Sequence, residues 1–147
     1  MTDFSIRPLQ PDDKSSWVEM WRAYLAFYET ERPDEVFEST WSRLMTAGED
    51  PAGFCAVDGD GRLIGLVHYI YHRSCWTLSP VCYLQDLYAD PAVRGSGVGR
   101  ALIEAVYAAA DEAGAASVYW LTQDFNANAR KLYDRVANVT PFIKYVR

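Results

Sequence analysis

From Cys82 to Gly114 the chain reads CYLQDLYADPAVRGSGVGRALIEAVYAAADEAG, an apolar strand pattern that runs into a glycine-rich turn and then a long helix. Gly95, Gly97 and Gly99 alternate with Ser96 and Val98, so successive backbone N–H groups can converge in a conformation that side chains would oppose. The helix predicted from about Val98 adds its unsatisfied N–H groups and the positive end of its dipole. Arg94 and Arg100 place a full charge on each side of the turn. Such a turn is built for an anion, and a pyrophosphate fits it.

The turn also argues against two nucleotide classes. A P-loop needs Lys and Ser/Thr after its last glycine, and here Arg100 and Ala101 follow Gly99. A dinucleotide fingerprint starting at Gly95 needs glycine at position 100, and the turn comes late in the chain, not in a first βαβ unit. What remains is R-x-x-G-x-G, read as Arg94, Gly97 and Gly99, after a strand ending Ala89-Asp90-Pro91. This resembles the coenzyme A pyrophosphate loop of the GCN5-related N-acetyltransferase (GNAT) superfamily. The resemblance implies that residues 94–100 hold the phosphates of acetyl-CoA.

Leu84 and Leu87 are three apart, whereas residues on one face of an unbroken strand are two apart. An inserted residue near Gln85 or Asp86, a β-bulge, reconciles them and splays the strand from its neighbour. In the family that splay frees main-chain groups for the pantetheine arm and the thioester, at positions matching Leu87, Tyr88 and Ala89.

A second motif, Asn126-Ala-Asn-Ala-Arg-Lys-Leu-Tyr133, places Asn126 as a helix N-cap and sets Asn126, Ala129 and Tyr133 on one helix face. It resembles the family's helix beside the pantetheine arm. The small Ala129 would leave room, and Tyr133 matches the tyrosine near the coenzyme sulfur, where a phenol can protonate the departing thiolate. Tyr133 is equally compatible with a core position beside Leu132 and Val136. For the base, Gln85 stands where some polyamine-acetylating relatives carry glutamate, so Asp86 is the nearest carboxylate. Glu29, Glu31 and Asp124 are further candidates. Glu29 and Glu31, with Gln85, are expected to meet the acceptor, and the acidic run Glu29, Glu31, Asp34, Glu35 and Glu38 suits a cationic one or a solvated helix face. His68 and His72 lie about 13 Å apart on a strand, too far to share a metal ion. No metal is expected.

The rest of the chain is consistent with this reading. A strand at Phe4 to Leu9 precedes two helices, the first striped by Trp17, Met20, Trp21, Tyr24 and Tyr28, the second by Phe37, Trp41, Leu44 and Met45. Strands at Gly53–Val57 and Leu63–Arg73 flank a hairpin signal, Asp58-Gly59-Asp60-Gly61. Gly114 caps the long helix, Ser117–Leu121 reads as a strand, and Phe142–Val146 as a last one. The order implies an α/β (α+β) GNAT fold over residues 1–147: one domain with a mixed central sheet, about four helices and a splayed strand pair holding acetyl-CoA. With 147 residues and half of them apolar, the chain can bury a core and has no run of membrane-span length. A net charge of −6 opposes nucleic acid and anionic membrane as partners. Its three cysteines are odd in number and form no C-x-x-C pair, which argues against a disulfide framework or zinc site, and no leader is visible. A cytoplasmic homodimer, paired through the edge of the last strand, is expected.

The closest resemblance within the superfamily is to enzymes acetylating histones, polyamines or amino acids. It implies direct transfer from acetyl-CoA to a primary amine. The alternative is a non-catalytic acyl-CoA-binding module that has lost its base, for which Gln85 speaks.

Overall fold

The computed structural model describes residues 3–147. In chain order these form β1 (Phe4–Pro8), α1 (Lys14–Phe27), α2 (Asp34–Leu44), β2 (Ala52–Asp58), β3 (Leu63–His72), β4 (Val81–Ala89), α3 (Val98–Glu112), β5 (Val118–Tyr119) and α4 (Ala127–Val136). The five strands make one sheet in the order of the chain. β1 to β4 pair antiparallel, and β5 runs parallel to β4, so the sheet is mixed.

Helices cover both faces, and the apolar stripes explain which goes where. On one face α1 and α2 bring Trp17, Trp21, Phe37 and Trp41 together, with Trp17 fully buried and its ring centroid 5.0 Å from Trp41 and 5.2 Å from Trp21. Burying a large apolar side chain is worth about 1.5–3 kcal/mol, so this cluster is a main anchor of the α1–α2 layer. α1 is entered through Asp13, which receives the Gln10 N–H at 2.7 Å and both guanidinium nitrogens of Arg7 at 2.7 and 3.0 Å. On the other face α3 lays Val98, Leu102, Ile103 and Val106 over Ile64, Val67 and Leu84. Gly65 is what lets α3 so close: a Cβ there would sit 2.8 Å from Val98 Cγ1 and 3.1 Å from Leu102 Cδ1.

The local signals act as their chemistry requires. At the β2–β3 hairpin the Asp58 carboxylate receives the N–H groups of Asp60 and Arg62 at 3.0 and 2.9 Å. Gly114 ends α3 at φ 71°, with Gly114 N–H to the Asp111 carbonyl at 3.1 Å and Ala115 N–H to the Ala110 carbonyl at 2.9 Å. That double closure is a Schellman motif.

The bulge in β4 is at Gln85. His68 pairs with Asp86 and Tyr69 with Leu84, leaving Gln85 without a partner on β3. Leu84 and Leu87 thereby face α3 together, while Asp86 and Tyr88 face α1.

Two expectations are corrected. β5 is only Val118–Tyr119, not Ser117–Leu121, because its pairing with β4 stops after Cys82↔Val118 and Tyr83↔Tyr119. Phe142–Val146 forms no strand: residues 138–147 are irregular and exposed. β propensity alone makes no strand, and the splayed end of β5 offers this segment no ladder to join.

Candidate active site

Where β5 leaves β4, a cleft of about 530 Å³ opens between β4, the start of α3 and α4. Leu87, Tyr88 and Ala89 form one wall. They pair with Val67, Leu66 and Gly65 of β3 on their other side, so the main-chain edge toward α4 has no strand against it. Asn126, Ala129 and Tyr133 of α4 form the opposite wall.

The glycine turn closes one end. Gly95 and Gly97 have φ of 84° and 92°, in the left-handed region, and a Cβ on Gly97 would meet no protein atom within 4 Å. The first backbone bond of α3 is Ala101 N–H to the Gly97 carbonyl, 3.0 Å, so the N–H groups of Val98, Gly99 and Arg100 precede the helical ladder. Gly99 serves packing as well, since a Cβ there would lie 3.3 Å from Leu132 of α4. Ser96 does not line the cleft, and its hydroxyl hydrogen-bonds the Val93 carbonyl.

Arg94 lies over the rings of Phe27 and Tyr88, 5.8 and 5.9 Å from their centroids. Arg100 is exposed, with Nε 2.8 Å from Glu104. Lys131 and Arg135 of α4 add two cations to the cleft. Sequence reasoning missed these, although Asn128, Lys131 and Arg135 follow an i, i+3, i+7 pattern beside the named face. Tyr24, Phe27 and Tyr28 from the end of α1 were missed as lining too.

α4 is positioned by the Asn126 side chain, which receives the Ala129 N–H at 3.4 Å, and by the Tyr107 hydroxyl donating to the Val136 carbonyl at 2.8 Å. Tyr133 packs edge-on against Trp120, centroids 5.4 Å apart. Burial, with a smaller contribution from Tyr28, pushes its phenol up to about 12. It therefore remains a proton donor at neutral pH.

Asp86 is buried on the α1 side of β4. Its Oδ2 receives the Trp21 indole N–H at 3.2 Å and lies 2.8 Å from His68 Nδ1. Burial first, and then the Asp86 charge, push the phenols of Tyr24 and Tyr28 upward. Asp86, Gln85 and His68 line a second cavity of about 280 Å³ under α1 and α2. Glu29 and Glu31 are exposed and line neither space. Glu29 has φ 57°, and the chain beyond it turns Arg32 into the second cavity instead. Asp124 lines neither cavity.

The two histidines have separate partners: His72 Nε2 lies 2.7 Å from the Tyr119 hydroxyl, while His68 meets Asp86 and Trp17. Among the described residues no group of three or more His, Cys, Asp and Glu side chains could hold a metal ion, and no helix is long and apolar enough to cross a membrane.

The chain is similar to several known N-acetyltransferases. The D-amino-acid N-acetyltransferase HPA3 of Saccharomyces cerevisiae is 38% identical over 143 residues, covering 97% of this chain and 89% of that protein. The thialysine N-epsilon-acetyltransferase of Caenorhabditis elegans is 30% identical, covering 92% and 83%. Among solved structures, the aminoglycoside N-acetyltransferase AAC(6')-Iy in complex with CoA superposes with a TM-score of 0.85 at 20% identity, covering 100% of this chain and 95% of that one. The ribosomal-protein-alanine N-acetyltransferase of Brucella melitensis biovar Abortus gives 0.81 at 21% identity, covering 99% and 98%. The Acetyltransferase (GNAT) family model matches residues 17–137, and the chain belongs to that family.

Proposed function

We propose that this acetyltransferase moves the acetyl group of acetyl-CoA directly to a primary amine, with the larger cleft as the donor site. The observation that carries the reading is the meeting, in one cleft, of an unpaired β4 edge, a left-handed glycine turn at a helix N-terminus and the Tyr133 hydroxyl. Acetyl-CoA, as donor substrate, supplies an activated thioester. The main-chain N–H groups of residues 95–100, with Arg94, Arg100, Lys131 and Arg135, hold its phosphates. The free edge at Leu87, Tyr88 and Ala89 binds the pantetheine amides and stabilises negative charge on the carbonyl oxygen. The nitrogen–carbon bond forms as the carbon–sulfur bond breaks. Tyr133 donates its proton to the sulfur, and the amine proton leaves toward Asp86 or water.

The chain acts as one catalytic domain and works as a homodimer in the cytoplasm. The dimer is supported by apolar side chains left uncovered: Phe142, Ile143, Tyr145 and Val146 in the tail, and Trp76 and Leu78 between β3 and β4. Free Cys55, Cys75 and Cys82 suit a reducing compartment. Incubation with acetyl-CoA and a panel of small amines, followed by release of free thiol, tests the activity. Amine-dependent thiol release is expected. Tight coenzyme A binding with no release above the amine-free blank would favour the non-catalytic module.

A further inference from the structure

The second cavity has its own charge pattern. Asp86 and His68, 7% and 2% exposed, are its most buried polar lining, and the exposed Arg32 and Arg43 stand at its mouth. The chain carries 20 acidic side chains against 14 Lys and Arg, yet neither guanidinium is ion-paired among the described residues. Arg32 donates to the Thr30 hydroxyl and the Glu31 carbonyl, both at 2.7 Å. Arg43 donates to the Ser39 carbonyl and hydroxyl at 3.3 and 3.1 Å. Two cations therefore face an opening whose floor is a carboxylate, which matches a ligand with an anionic and a cationic end.

The cavity is next to the donor cleft. Asp86 lines one and the next residue, Leu87, lines the other, since successive residues of a strand point to opposite faces. Along α1, Trp21 and Leu25 line the second cavity while Tyr24 and Tyr28 line the first.

We propose that this cavity is the acceptor pocket and that the acceptor is a small amino-carboxylic acid, such as a free amino acid. Its carboxylate sits between Arg32 and Arg43, and its amine points to Asp86, beside the strand edge where the acyl group is held. Planar guanidinium groups suit a carboxylate, and a volume of about 280 Å³ admits one amino acid. The same two charges disfavour a polyamine. The inference rests on the transferase reading, and its test separates the two.

Amino acids of both hands and several side-chain sizes, and their amides, are compared by calorimetry with the coenzyme A complex and by acetylation rate with acetyl-CoA. The acids are expected to bind and react, and each amide to show a KM higher by about tenfold or more, the scale of a lost charge-assisted hydrogen bond. Arg32→Gln and Arg43→Gln should raise the KM for the acids by about tenfold, leave the KM for acetyl-CoA unchanged and narrow the gap between acid and amide. Arg43→Lys should restore part of the loss. Equal handling of acid and amide by the parent, or variants that bind amino acids as the parent does, would overturn the pocket. Acetylation of amines that lack a carboxylate, with no binding of amino acids, would overturn the pocket while sparing the transferase. Amino acid binding with no transfer to any amine would sustain the pocket and overturn the transferase.

Discussion

The indole N–H of Trp17 donates to Nε2 of His68 at 2.9 Å, and that bond decides where the imidazole carries its proton. Nε2 must accept, so the proton sits on Nδ1 and is donated to Asp86, 2.8 Å away. Trp17→Phe keeps most of the ring packing but leaves Nε2 without its donor. A loss of about 1–3 kcal/mol is expected in urea denaturation, the cost of an unmet buried polar group. Nitrogen NMR of the parent should show His68 protonated at Nδ1, and turnover in the variant should fall as Asp86 loses its orientation.

Gly97→Glu should abolish coenzyme A binding. A Cβ at Gly97 meets no protein atom, so the added chain projects into open space beside the nest with a charge that repels phosphate. The φ of 92° adds strain for any side chain. Calorimetry with coenzyme A measures the affinity, and an unchanged value would remove the turn from the donor site.

Tyr133→Phe should lower turnover by about ten- to a thousandfold, with little change in the KM for acetyl-CoA. The ring still packs on Trp120 while the hydroxyl is lost. Because the phenol is pushed up to about 12, no limb of the pH–rate profile near neutrality should belong to it. Equal turnover in variant and parent would make Tyr133 a packing residue only.

Stability should fall at both ends of the pH scale, for opposite reasons. Burial pushes Cys55 and Cys82 up to about 11 and Tyr69 and Tyr133 up to about 12. The unfolded chain releases these protons first, from its ordinary values of about 9 and 10, so stability holds below about pH 9 and is lost as pH rises toward 12. Asp13 behaves inversely, because the hydrogen bond from Arg7 holds its carboxyl below the ordinary 3.8. Its contribution is present above that value and disappears as pH falls through the lower, folded one. Urea melts across the range should show both limbs, and Asp13→Asn should flatten the acid one.

If the proposed dimer is built on the tail, light scattering at micromolar concentration should find the full chain dimeric and a chain without residues 139–147 monomeric. The segment buries little on its own chain, with Phe142 77% and Tyr145 90% exposed, so the truncation should leave thermal stability nearly unchanged. A full chain that is monomeric, or a truncated one still dimeric, would remove the tail from the interface.

Local chemistry alone decided much of this protein. The three-residue spacing of Leu84 and Leu87 demands an extra residue, and it is Gln85. Only glycine takes the left-handed turns at Gly95, Gly97 and Gly114 without strain, and Asp58 with Gly61 makes its hairpin from its own neighbours. These follow from dihedral preferences and a two-residue period, which act over a few residues. Tertiary structure alone decided the rest. Asp86 meets Trp21, 65 residues away in sequence, and His68, 18 away, because α1 crosses the face of β4 to which the bulge turns that side chain. Glu29 and Glu31 remain in solvent while Arg32 and Arg43, from different elements, converge on one cavity. Phe142–Val146 has strand-forming residues and no strand, because a strand exists only where another backbone pairs with it. Which surfaces meet depends on how distant elements pack, and no spacing within one element encodes that.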